Sequence, residues 1–153
     1  MPKKDTTRWI DLPYLSERDA IDLIRRSTDS SEAAVAANYT RQVLFYVPGA
    51  AVTGTSVSGE PVWRGEDGIP QRIDARAKGT PTGAALQYTV KAGGTTVGTV
   101  TIADGATAGT TSTMSVNSID PNTAITLDCD QVGSTTSGSD VTVTLECLVA
   151  TES

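Results

Sequence analysis

A chain of 153 residues has the size of one domain with an appendage, and 38% apolar with 5% aromatic residues requires a core of Val, Ile, Leu and Ala rather than of large rings. There is no histidine, which removes the usual general base near neutral pH, the Ser-His dyads and the commonest transition-metal ligand. The net charge of −6 lies on residues 51 to 153, with eleven acidic against five basic side chains, while residues 1 to 50 hold seven of each; an acidic domain without a basic, aromatic-interleaved stripe excludes nucleic acid as the expected partner.

The opening Met1-Pro2-Lys3-Lys4-Asp5-Thr6-Thr7-Arg8 is polar and leads into no apolar run. No later window reaches the roughly 18 apolar residues of a membrane span, so a soluble product of the cytoplasm without a membrane partner is expected. Residues 1 to 15 read as an extended, proline-punctuated arm. In it Trp9, Ile10, Leu12, Tyr14 and Leu15 follow neither helical nor strand periodicity. They are the candidate docking residues, and they either fold back on the domain or anchor on another subunit.

Ser16 is a good N-cap, with Asp19 three residues on and Leu15 and Ala20 placed as a hydrophobic staple. Ala20, Ile21, Leu23 and Ile24 form an apolar stripe, so a helix of about three turns is expected from Ser16 to near Arg26. Asp29 and Glu32 repeat the capping pattern before Ala33-Ala34-Val35-Ala36-Ala37, a second short helix.

From Gln42 the character changes. Val43-Leu44-Phe45-Tyr46-Val47 is a β-rich run stopped by Pro48-Gly49. Short alternating segments then recur at residues 51 to 57, 69 to 77, 86 to 91, 97 to 102, 111 to 116, 124 to 132 and 141 to 149. Seven or eight such strands predict an all-β, antiparallel, jelly-roll-like sandwich over residues 45 to 153, behind a partly helical and extended arm over residues 1 to 44.

Gly93-Gly94 suits a two-residue turn joining residues 86 to 91 to the following strand, with Val90 opposite Val97. Pairing the last two strands as a hairpin about Thr136 sets Ile125, Leu127 and Cys129 on one face and Val141, Val143, Leu145, Cys147 and Val149 on one face. Thr126, Asp128, Asp130, Thr142, Thr144 and Glu146 then point outward. In that register Cys129 and Cys147 stand roughly 12 to 15 Å apart, too far for a disulfide, and both are expected as core thiols.

Little in the chain carries chemistry. The serines lack a base at a recognisable spacing. Asp128 and Asp130 could hold Ca²⁺ but are expected as a solvated acidic face. Gly93-Gly94 and Asp104-Gly105 sit in hairpin turns without a following helix, so no phosphate loop is expected. The residues imply no catalytic group, cofactor or metal. Trp63 with Arg64 is the candidate for surface recognition, as a sugar-stacking platform with the loops after Asp104 and Asp130, although packing is the expected role of the ring. A weakly charged, Thr-rich sheet is also poorly defended at its edges, and specific neighbours are expected to cover some of them.

Four segments occur in series: Gly79-Thr80-Pro81-Thr82-Gly83-Ala84-Ala85-Leu86, Lys91-Ala92-Gly93-Gly94-Thr95-Thr96-Val97, Ile102-Ala103-Asp104-Gly105-Ala106-Thr107, and the run from Asp130-Gln131-Val132-Gly133 through Ser134-Thr135-Thr136-Ser137-Gly138-Ser139-Asp140 to Val141-Thr142-Val143. With Val47-Pro48-Gly49 and Trp63 they resemble a β-sandwich module of tailed-bacteriophage virion proteins over about residues 45 to 149. The resemblance implies a particle-surface component: a capsid decoration protein, a head fibre or a tail-associated protein, often in threefold sets, with the major capsid protein or another virion protein as partner. It implies no reaction and no catalytic residues. The arm lies outside it and is expected to decide location on the particle.

Overall fold

Strand patterning over the C-terminal two thirds of the chain is realised as eight strands. The computed structural model describes residues 38 to 150; the two helices expected in the arm and the docking residues expected from Trp9 to Leu15 lie outside them. The strands are β1 (Asn38–Ala50), β2 (Val62–Trp63), β3 (Gly68–Gly79), β4 (Leu86–Ala92), β5 (Thr95–Ile102), β6 (Ala108–Thr111), β7 (Thr123–Gln131) and β8 (Ser139–Ala150). β1 begins at Asn38, ahead of Gln42, from which the β-rich character was expected. Residues Tyr39–Ala150 form one compact unit.

The strands form two four-stranded sheets, ordered β1-β8-β3-β6 and β2-β7-β4-β5. Every connection except the β4–β5 hairpin crosses from one sheet to the other, which is the order of a jelly roll. One apolar cluster draws on both sheets: Phe45, Ile73, Val143, Leu145 and Val149 from the first, Trp63, Leu86, Tyr88, Val100 and Leu127 from the second. Period-2 alternation places these side chains inward. On β8 each of Val141, Val143, Leu145, Cys147 and Val149 is buried, as expected, while Thr142, Thr144 and Glu146 on the other face are partly exposed.

The hairpin expected of β7 and β8 does not form. β7 pairs with β4 and β2, β8 pairs with β3, and the segment between them crosses from sheet to sheet. Alternation determines which face of each strand is buried but carries no information about which strand lies beside it. Cys129 and Cys147 are both free and buried, on strands of different sheets.

Gly93-Gly94 does turn β4 into β5, with φ of 57° and 86°, the positive pair that a two-residue hairpin of this kind demands. The register differs from expectation: Val90 faces Gly98, and Lys91 faces Thr96, leaving Val97 as a bulge. The extra residue switches strand parity, so Val97, Val100 and Ile102 all point inward although their numbers do not alternate. A second bulge between Pro70 and Arg72 does the same in β3, moving from buried Pro70 to buried Ile73, Ala75 and Ala77.

Two expected strands are displaced. Residues 51 to 57 form a loop along the edge of β7, with Gly54 bridging Cys129 and the Val57 N–H donating to the Leu127 carbonyl at 2.8 Å. β6 occupies Ala108–Thr111 rather than 111 to 116, and in it Gly109 lies so close to β5 that a Cβ would stand 1.8 Å from the Thr101 carbonyl oxygen, an approach that only glycine allows.

Candidate functional site

Jelly-roll connectivity sorts the loops to two ends. At one end the β3–β4, β5–β6 and β7–β8 connections interlock through their backbones. The Thr82 N–H donates to the Thr136 carbonyl at 2.9 Å, and the Gly105 N–H to the Pro81 carbonyl at 2.9 Å. The Gly83 N–H donates to Asp104 Oδ1 at 2.9 Å. Gly133 and Gly83 are needed here, since a Cβ on the first would lie 2.0 Å from the Thr136 carbonyl oxygen, and one on the second 2.4 Å from Ser134 Oγ. Three of the four segments that carry the virion-module resemblance therefore meet in one place.

Trp63 is not part of this end. It pairs with Thr123 at the start of β7, whereas Asp130 lies near the finish of the same strand. The ring is 1% exposed. Its Nε1–H donates to the Glu66 carbonyl at 2.7 Å, the Arg41 guanidinium lies 4.3 Å from its centroid, and Gly68 presses against its edge. A sugar platform needs an open ring face, and Trp63 offers none. Arg64 is exposed, and its carbonyl accepts from Arg41 Nη1 at 2.7 Å. The structure thus brings together the loops after Asp104 and Asp130 but separates them from Trp63 and Arg64.

The outer face of the second sheet holds a polar network, and Asp128, expected on a solvated face, is only 5% exposed. The neighbouring strand supplies Lys91, whose Nζ lies 2.7 Å from Asp128 Oδ2, and the loop from β1 supplies the Ser56 N–H, which donates to Oδ1 at 2.9 Å. Burial pushes the Asp128 carboxyl up, but the bonds from Lys91 and Ser56 and the Lys91 charge outweigh it and hold the group below its ordinary value; Lys91 is raised by the same contact. Asp130 accepts from the Thr89 hydroxyl, which also meets Thr99 Oγ1 at 2.9 Å. The two aspartates are thus already bonded, and no group of three metal-ligating side chains occurs among the described residues. The Tyr88 hydroxyl is fully enclosed without a hydrogen-bond partner. Burial, and then the Cys129 thiol beside it, push its pKa up. Burial likewise raises Cys129 and pushes Cys147 up to about 12, so neither thiol has the thiolate character of a nucleophile.

Two features remain on the outer face of the first sheet. An open groove of about 620 Å³ lies over β3, β6 and β8, lined by Arg72, Asp74, Arg76, Thr110, Thr142 and Thr144; Arg72 is held by Asp74 at 3.0 Å and Glu146 at 3.2 Å. On β1, Leu44 and Tyr46 are 65% and 54% exposed. The run expected as β-rich does form a strand, and the alternation of buried Phe45 and Val47 with Leu44 and Tyr46 gives β1 two apolar faces where the core covers one. Among the described residues no helix is long and apolar enough to cross a membrane.

No protein-family model and no curated protein matches the chain. Among solved structures it is similar to a chain in the acidic stable capsid structure of Helicobacter pylori bacteriophage KHP30, with a TM-score of 0.41 and 10% identity over 76% of this chain and 94% of that one. It is similar to VP2 in the infectious bursal disease virus subviral particle, with a TM-score of 0.33 and 16% identity over 74% of this chain and 33% of that one. The CBM36-1 domain of a multidomain xylanase from the hindgut metagenome of Trinervitermes trinervoides has a TM-score of 0.30 and 11% identity over 74% and 98%.

Proposed function

We propose that the chain is a non-enzymatic structural protein on the outer surface of a bacteriophage particle, and specifically a capsid decoration protein. Its arm docks through Trp9, Ile10, Leu12, Tyr14 and Leu15 on the major capsid protein, copies gather in threefold sets, and the acidic sandwich faces outward. The observation that supports this most is the polarity of the sandwich. The chain enters β1 near Arg41, which lies against Trp63 and Arg64, while the interlocked loops of the virion-module resemblance sit at the other end. A chain that enters β1 at one end and gathers these loops at the other suits a molecule held by its arm. Bridging adjacent capsomers adds contacts that internal pressure must break, and repetition multiplies them by avidity.

The same module resemblance also fits a head-fibre, collar or tail subunit, and locating labelled chains on the particle separates these positions. The docking role is tested by mixing undecorated particles with the chain and with a form lacking residues 1 to 15. The expected result is sedimentation of the intact chain with the particles and none of the shortened one, with both showing the same β-rich circular dichroism. Undiminished binding of the shortened chain would sink the assignment.

A further inference from the structure

The connection from β1 to β2 closes the outer edge of β7. β2 covers Thr123 and Ala124, the Ile125 N–H donates to the Pro61 carbonyl at 2.8 Å, and the loop before Pro61 takes the next positions. There the Gly54 N–H donates to the Cys129 carbonyl at 3.0 Å, the Cys129 N–H to the Gly54 carbonyl at 2.8 Å, and the Val57 N–H to the Leu127 carbonyl at 2.8 Å. The ends of the loop are fixed by the Ala51 N–H on the Gly138 carbonyl at 2.8 Å and by Ser58 Oγ on the Tyr46 carbonyl at 3.2 Å. Between those ends Val57 is the only side chain packed against the apolar cluster. A segment held mainly by hydrogen bonds, with little apolar burial, is of the kind that opens without the rest of its domain.

Ser56 stands between the two ladder contacts at φ 48°, a left-handed backbone that is costly for a residue with a side chain. Its N–H is held by Asp128 Oδ1 at 2.9 Å, on the carboxylate whose other oxygen Lys91 grips from β4 at 2.7 Å. A hydrogen bond to an ionised acceptor is roughly twice as strong as one between neutral groups. The charge on Asp128 therefore sets how firmly the strained residue is held. Among the described residues, Lys91 and, through Lys91, Asp130 are the charged groups around that carboxylate.

We propose that residues 52 to 57 are an acid-released strap: ionised Asp128 latches it over the edge of β7, and protonation of Asp128 lets it swing off while the two sheets stay packed. Release leaves the Cys129 N–H and the Leu127 and Cys129 carbonyls unpaired, so an edge that is closed at neutral pH becomes open in acid. Burial favours the uncharged form of Asp128, but the bonds from Lys91 and Ser56 outweigh it. The latch therefore holds at the pH where a free aspartate is half protonated, and it is lost as pH falls further. The inference concerns the sandwich alone and is independent of how the arm docks.

The test is backbone hydrogen exchange followed by NMR on the full chain, in low denaturant and from neutral pH to about pH 2, with rates referred to those of unstructured peptide. The expected result is that the amides of Gly54, Ser56, Val57 and Cys129 exchange together, more readily than those of the β3–β8 ladder and with a smaller denaturant slope. Their protection is constant above the Asp128 pKa and falls about tenfold or more below it. Asp128→Asn shows the weaker protection already at neutral pH, with no further loss in acid. Lys91→Met leaves the burial of Asp128 without its counter-charge and moves the loss to higher pH, whereas Asp130→Asn keeps it. Exchange of the four amides with the rate and slope of the β3–β8 ladder would overturn the proposal, because no strap then opens on its own. An acid loss that persists in Asp128→Asn, stays in place in Lys91→Met or vanishes in Asp130→Asn would overturn it equally, by assigning the latch to another group.

Discussion

Replacing Trp63 by alanine decides whether that residue is a core plug or a recognition surface. The ring is buried, bonded through Nε1 to the Glu66 carbonyl, capped by Arg41 and in contact with Gly68. Removing a ring so enclosed costs about 3–5 kcal/mol, a large part of the roughly 5–15 kcal/mol that holds a domain folded. At about 4 °C per kcal/mol for a body of this size, the melting temperature drops by about 12–20 °C. A partner substitution sharpens the test. A Cβ on Gly68 would lie 2.4 Å from Trp63 Cζ2, and the backbone there is not in the positive-φ region, so Gly68→Ala is destabilising through overpacking against the ring, by about 1–3 kcal/mol. In the Trp63→Ala background that cost vanishes. Urea unfolding followed by far-ultraviolet circular dichroism on the four proteins gives the coupling. A Trp63→Ala chain within about 0.5 kcal/mol of the parent, the range of ordinary surface changes, or a Gly68→Ala cost that is equal in both backgrounds, would refute the reasoning.

Asp128 makes stability dependent on pH in the acid range. Its folded pKa lies below its unfolded value of about 3.9, so its contribution is complete above that value and is lost as pH falls through the folded pKa. Asp128→Asn should destabilise at pH 7 by about 1–3 kcal/mol and flatten the acid limb of a pH-dependent unfolding curve; an unchanged limb would contradict the ion pair. Gly109→Ala should cost at least about 1–3 kcal/mol because its Cβ would meet the Thr101 carbonyl oxygen, measurable as a lower urea midpoint. Cys129 and Cys147 should resist a thiol reagent in the native chain and react together on unfolding, and rapid native labelling of either would show that its strand is not packed as described.

Much of the fold was legible because alternation is a local property. The inward faces of β7 and β8 and the Gly93-Gly94 turn follow from residues within a few positions of one another, whereas the separation of Cys129 from Cys147 was drawn from a β7–β8 hairpin that does not form, and both thiols are free and buried because their strands lie in different sheets. The bulges at Val97 and near Gln71 were not legible, since each serves to bring a distant set of side chains onto the core face. Trp63 and Asp128 show the same division. Trp63 lies in a polar, turn-rich stretch and Asp128 on the outward parity of an alternating strand, yet both are buried by remote groups: Arg41 and Gly68 for the first, Lys91 and Ser56 for the second.

What the amino-acid sequence determined by itself is an all-β chain of short strands, acidic in its C-terminal part, without histidine and with an apolar-bearing arm ahead of it. Tertiary structure alone decided that β7 and β8 lie in different sheets, that the resemblance-bearing loops gather at one end away from Trp63, and that β1 turns an apolar strip to solvent. The physical reason is that a strand's own residues specify which face is buried, whereas its neighbours are chosen by long-range packing of all eight strands into one core.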